Sequence, residues 1–215
     1  MIRALQAIVF DFDGVIVDSE RLHLRAYQEV LAPLGLNLSD RAYYGEYLGY
    51  DDVGVFRRYA QDNDVHWQDE AIAGLIEAKG KRYDELSARG EMLFPGAASF
   101  IREAAGAVPV AIASGALTHE VEDILERVGL RRLFVAIVGA DQTTRSKPSP
   151  DPYLEAFARL AGVSDGMIDP SRTVAIEDSR AGLESAGAAG LRCVAVANTY
   201  SAEELAPHAE LVVSG

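Results

Sequence analysis

An α/β fold, a doubly wound parallel sheet with an inserted all-helical domain, is predicted by three features of this sequence. From residue 93 onward short apolar runs alternate with helical patterns, the signature of βα units. Another apolar run, Ile8-Val9-Phe10, stands apart near the start. What separates it from the next strand is helical pattern throughout, too long for a βα crossover and so read as an inserted domain.

In chain order, Ile8, Val9 and Phe10 form an unbroken apolar run, as in a strand buried on both faces, and Gly14 supplies the turn after it. Leu22, Ala26, Val30, Leu31 and Leu34 then recur at helical spacing until Pro33-Leu34-Gly35 ends the run. Further helical pieces cover 40–48, 52–61 and 69–87, separated by Gly49 and by Asp62-Asn63-Asp64. The last carries Ile72, Leu75, Ile76, Lys79, Tyr83 and Leu86 on one stripe. The expected organisation is an α/β core of residues 1–17 and 92–215 around a helical domain of residues 18–91. Within the core the pattern predicts helix 97–106, strand 108–113, helix 118–128, strand 134–138, helix 151–161 and strand 173–177. A small-residue helix 180–188, strand 192–196, a short helix 202–206 and strand 211–213 follow.

The 33 acids against 20 bases leave a formal charge of −13, which disfavours nucleic acid and anionic membranes as partners, since both require a basic face. A small anionic substrate remains compatible where bases cluster locally. Residues 1–20 lack the order of a signal peptide and no apolar run reaches membrane-span length, so neither secretion nor membrane insertion is expected. The lone Cys193 sits in an apolar strand and reads as a buried thiol, consistent with a cytoplasmic setting. A monomer and a dimer are equally compatible with the pattern.

Chemistry concentrates at the strand ends. Asp11 and Asp13 follow the first strand at the carboxyl edge, where open α/β sheets place their ligands. Two carboxylates so close stay ionised when a cation lies between them, and hard oxygen donors favour Mg²⁺, which joins substrate phosphate oxygens. An acidic turn is the plain alternative for these two residues alone. The next strands, however, deliver Ser114-Gly115, then Lys147-Pro148, then Glu177-Asp178-Ser179 to the same edge. Taken singly, each is an ordinary loop, surface lysine or helix cap; their joint occurrence in this order points to a phosphate enzyme.

On these residues the chain resembles the haloacid dehalogenase-like hydrolases, whose four motifs match Asp11-Phe12-Asp13-Gly14-Val15, Ser114, Lys147-Pro148 and Glu177-Asp178-Ser179-Arg180-Ala181-Gly182. The resemblance spans the whole chain; the helical insertion looks like the family's C1 cap, and the sequence is similar to the beta-phosphoglucomutase and sugar-phosphate phosphatase group. It implies a Rossmann-like core and a phosphatase acting on a small phosphorylated metabolite through an aspartyl-phosphate. Asp11 would be the nucleophile and Asp13 the acid and base. Mg²⁺ would be held by Asp11, the Asp13 carbonyl and Asp178, with Glu177 a ligand or an outer partner. Lys147 would pair with Asp11 and a phosphoryl oxygen, and Ser114 with another, while the amides of Phe12 and Gly115 complete the cradle. Dehalogenases and phosphonatases lack an Asp at the position of Asp13, which favours phosphoryl transfer.

Two cap residues, His23 and Lys79, match mutase positions that assist closure over substrate; Lys79 is the only charge on its helix's apolar stripe. The mutases also carry an Arg in the cap loop where Gly49-Tyr50-Asp51-Asp52 ends in an acid. Asp52 is expected to repel a second phosphate, so a phosphatase is read ahead of the alternative, a phosphosugar mutase. His66, His119 and His208 show no metal-ligand spacing and are expected to face solvent, and zinc is not expected.

Overall fold

A computed structural model describes residues 4–47, 50, 52–89, 92–164 and 168–214. Strand β1 (Ala7–Phe10) is followed by helices α1 (Ser19–Leu31), α2 (Asp40–Ala42), α3 (Asp52–Asp62) and α4 (Asp69–Ala88). Then come α5 (Ala97–Ala107), β2 (Val110–Ala113), α6 (Thr118–Arg127), β3 (Phe134–Val138), α7 (Asp151–Val163) and β4 (Thr173–Glu177). Helix α8 (Arg180–Ala188), β5 (Arg192–Val196), α9 (Ala202–Leu205) and β6 (Leu211–Val213) complete the described chain. It divides into two compact units, Met1–Asp18 with Leu93–Gly215, and Ser19–Met92.

In the first unit the sheet has six strands among the described residues, all parallel, in the order β3-β2-β1-β4-β5-β6. Strand order reverses between β1 and β4, the switch point at whose carboxyl end such sheets bind ligands. Both β1 and β2 are buried along their whole length, which is why they read as unbroken apolar runs. One sheet face is lined by small residues, Ala7, Val9, Ala111, Ala113, Ala175 and Ala195, which let Tyr153 and Leu160 of α7 and Leu183 of α8 pack closely. On the other face Phe10 meets Phe100 of α5 edge-on, ring centroids 6.0 Å apart. Strand β2 begins at Val110, two residues later than the pattern suggested, because Val108 closes α5 by donating to Ala104 O and Pro109 has no N–H for the ladder.

The second unit is helical. Tyr27, Tyr43, Val55, Phe56, Tyr59 and Ile72 form its core, with Trp67 stacked on Tyr59. Leu34, assigned by spacing to the buried stripe of α1, is 54% exposed: Ala32–Leu34 tighten into a 3₁₀ turn that breaks the helical phase, and Gly35 closes it at φ 72°. Of the predicted helix 40–48, residues 40–47 are α2 running into one π-helical turn, Tyr43–Tyr47, and Leu48 lies outside the described residues. Gly49 and Asp51, on which the reading of the cap loop drew, lie outside the described residues. No helix among the described residues is long and apolar enough to cross a membrane.

Candidate active site

Asp11 leaves β1 with its N–H still donating to Ile176 O of β4 at 2.9 Å, so the backbone that carries it belongs to the sheet. Its carboxylate receives Lys147 Nζ on Oδ1 at 2.6 Å. The same ammonium reaches Glu177 Oε1 at 2.7 Å. Lys147 comes from the loop after β3 and Glu177 from the end of β4, so three strand ends converge on one charge cluster.

Glu177 is fully buried and fully engaged. Oε1 also accepts from the Tyr153 hydroxyl at 3.1 Å, while Oε2 accepts from the amides of Asp178 and Ser179 and from the Ser179 hydroxyl. A carboxylate has about four lone-pair sites, so these donors use the capacity of Glu177. Ser179 in turn caps α8, accepting from Gly182 N. Gly182 is dictated by this packing, since a Cβ there would lie 1.6 Å from Glu177 Oε1.

Asp178 is buried next to it, its Oδ2 accepting from the Thr199 hydroxyl in the loop after β5. Gly14 turns the chain at φ 80°, and a Cβ there would fall 1.8 Å from Asp178 Oδ2; here both conformation and space demand glycine. The Gly14 carbonyl is held by Asn198 Nδ2 at 2.7 Å.

Three buried carboxylates thus face one ammonium. Burial pushes the pKa of Asp11 upward, with Lys147 pulling it down and Glu177 and Asp178 adding to the upward push. Burial likewise lifts Asp178 to about 6 against the hydrogen bond from Thr199. Burial opposes the charge of Lys147, yet Asp11 and Glu177 outweigh it and hold that pKa above its ordinary value. Oxygens of Asp11, Glu177 and Asp178 lie within 4.8 Å of one another, and this excess of hard anionic donors could hold a metal ion. With the oxygens of Glu177 already occupied, Asp11 and Asp178 are the members with free lone pairs.

Ser114, Gly115 and Lys147 line one concavity of about 140 Å³ with Ala140, Thr143, Ser146 and Pro152. The Ser114 hydroxyl is fixed by Ala116 N at 3.0 Å. The Phe12 side chain is buried, so only its main chain can serve a ligand, and Asp13 is exposed beside the buried cluster. Tyr153, Asn198 and Thr199 were not singled out from sequence. The strand-end argument reaches Asn198 and Thr199, which follow β5, but Tyr153 lies inside α7 and carries no such mark.

In the helical unit Lys79 is 3% exposed, its Nζ 2.7 Å from both Asp52 Oδ1 and His23 Nδ1. The rings of Tyr27 and Tyr83 flank it at 4.7 and 5.6 Å. Burial, helped by Lys79, lowers the pKa of His23 to about 4, so its neutral ring can accept from the ammonium. Asp52 also accepts from the Tyr27 hydroxyl; burial opposes its charge, but Lys79 and Tyr27 prevail and keep its pKa low. Asp52, read from sequence as an acid that would repel a second phosphate, is in the structure the counterion that the buried ammonium of Lys79 requires. His66 and His119 are exposed as expected, whereas His208 is half-buried with Nδ1 3.9 Å from Glu184.

Comparison with known proteins places these residues in context. A family profile described as haloacid dehalogenase-like hydrolase matches residues 8–196. Protein CbbY of Cereibacter sphaeroides is 35% identical, over 93% of this chain and 87% of its own length. Hexitol phosphatase B of Escherichia coli (strain K12) is 32% identical, over 90% of this chain and 84% of its own. A solved structure of a CbbY mutant from Rhodobacter sphaeroides in complex with xylulose-(1,5)bisphosphate superposes with a TM-score of 0.63 at 31% identity, covering 97% of this chain and 93% of that one.

Proposed function

Because the chain belongs to the haloacid dehalogenase-like hydrolases, we propose that it is a Mg²⁺-dependent phosphatase releasing phosphate from a small phosphorylated sugar or acid. The observation that carries this reading is the buried Asp11–Lys147 contact of 2.6 Å, one strand away from Asp178. Relatives named or solved as sugar-phosphate enzymes favour release to water over the phosphosugar mutase alternative.

In this reading the Asp11 carboxylate attacks phosphorus and forms an aspartyl-phosphate, dividing one difficult displacement into two. Asp13 protonates the leaving oxygen and then deprotonates the water that hydrolyses the intermediate; its exposed side chain suits a group that must reach both. Lys147 holds Asp11 in line and offers charge to a phosphoryl oxygen, with Ser114 and the amides of Phe12 and Gly115 as the remaining donors. Asp11, Asp178 and the Asp13 carbonyl would hold Mg²⁺, with Glu177 fixing their surroundings. When bound, the ion neutralises phosphoryl charge so that an anionic nucleophile can approach.

Residues 18–91 act as the cap, with Lys79 and His23 assigned to substrate recognition; the capacity of Lys79 for a strong anion contact supports this, its charge now shared with Asp52. A cytoplasmic setting is supported by Cys193, a buried thiol whose pKa burial raises to about 11. The test is phosphate release from a panel of sugar phosphates with and without Mg²⁺. Release that is abolished by Asp11→Asn and by chelation is expected; undiminished turnover in that variant would overturn the mechanism.

A further inference from the structure

Tyr153 is fully buried in α7. A phenylalanine would fill the same space without a hydroxyl to satisfy. That hydroxyl donates to Glu177 Oε1, the same oxygen that receives Lys147 Nζ, and the Tyr153 ring lies beneath the ammonium with Nζ 5.1 Å from its centroid. Lys147 is contested between two carboxylates at nearly equal distance, Asp11 at 2.6 Å and Glu177 at 2.7 Å. Two donors on one oxygen share its lone-pair charge, so each is held less tightly than it would be alone. The phenol therefore weakens the claim of Glu177 on the ammonium, and the ring face seats that ammonium where Asp11 can reach it.

We propose that Tyr153 is a positioning residue that keeps Lys147 directed at Asp11 by sharing Glu177 Oε1 and supporting the ammonium from below. Without the hydroxyl, Nζ settles on Glu177. Asp11 then loses counter-charge when it must approach an anionic phosphoryl group, a loss that falls on the chemical step and not on substrate binding.

The kinetic consequence rests on the phosphatase reading; the structural consequence does not. Tyr153→Phe preserves volume, so a melting temperature near that of the wild type serves as the folding control. With a sugar phosphate that the wild type hydrolyses, kcat should fall about tenfold with KM changed by less than about twofold. In a Glu177→Gln background, where the competitor is already neutral, the same substitution should cost less than about twofold further. A crystal structure of Tyr153→Phe should show Nζ beyond about 3.5 Å from Asp11 Oδ1 while its contact with Glu177 persists. An unchanged 2.6 Å contact overturns the proposal whether or not the protein hydrolyses any phosphate ester. A wild-type kcat, or a loss fully additive with Glu177→Gln, overturns it on the kinetic side.

Discussion

Lys147 Nζ lies 2.6 Å from Asp11 Oδ1 although 136 residues separate them in the chain, and each side chain is nearly closed to solvent. One cation from a loop that follows β3 thereby serves the carboxylate that follows β1.

Replacing it should be severe. In Lys147→Met the length of the side chain is kept while Asp11, Glu177 and Asp178 lose their only ammonium among the described contacts. Phosphatase turnover should drop on the order of a hundred- to a thousandfold, as when a preorganised charge is removed from a transition state. Steady-state kinetics at saturating substrate decide it, and turnover within twofold of wild type would remove Lys147 from the mechanism.

Two glycines of α8 should respond oppositely to alanine. At Gly182 the new methyl would collide with Glu177, which its hydrogen bonds prevent from moving aside. A destabilisation of about 2–3 kcal/mol is expected, with loss of activity. At Gly187 a Cβ meets nothing within 4 Å, and the helix should gain up to about 1 kcal/mol. Thermal melts of both variants test the contrast; equal shifts would show that Glu177 is not rigidly held.

Acid should weaken the helical unit through His23. Its folded pKa, about 4, lies below the ordinary 6.5, so as pH falls the unfolded chain takes up the proton first. Stability therefore rises with pH between those values and is lost on acidification through them. Between pH 7 and pH 5 the loss should be on the order of 2 kcal/mol. Denaturant melts followed by the fluorescence of Trp67, the sole tryptophan, which packs half-buried against this unit's core, report it. His23→Gln should flatten the dependence over this window; an unaltered slope in that variant would assign the effect elsewhere.

Much of the core was legible because a parallel sheet has one chemical edge. Once Ile8-Val9-Phe10 and the later apolar runs are recognised as buried strands, Asp11, Ser114, Lys147, Glu177 and Asp178 are bound to emerge at the same side. Local pattern also sufficed for α4, on whose apolar stripe Lys79 was the one charge. Periodicity erred where local geometry left the helical phase, as at Leu34.

Which residues partner across the chain was settled only by tertiary structure. Asp52 as the counterion of Lys79, Tyr153 as a donor to Glu177, and Thr199 and Asn198 as supports for Asp178 and Gly14 all join segments far apart in sequence. The physical reason lies in the cost of burial: a charge or hydroxyl removed from water must find a partner, but which one it finds depends on strand order and helix packing, not on its neighbours in the chain. Residue type and spacing determined that buried charge would gather at the ends of β1 and β4. The packing of α7 and α8 on the sheet decided how that charge is shared, and the packing of α1, α3 and α4 on one another decided which partners Lys79 finds.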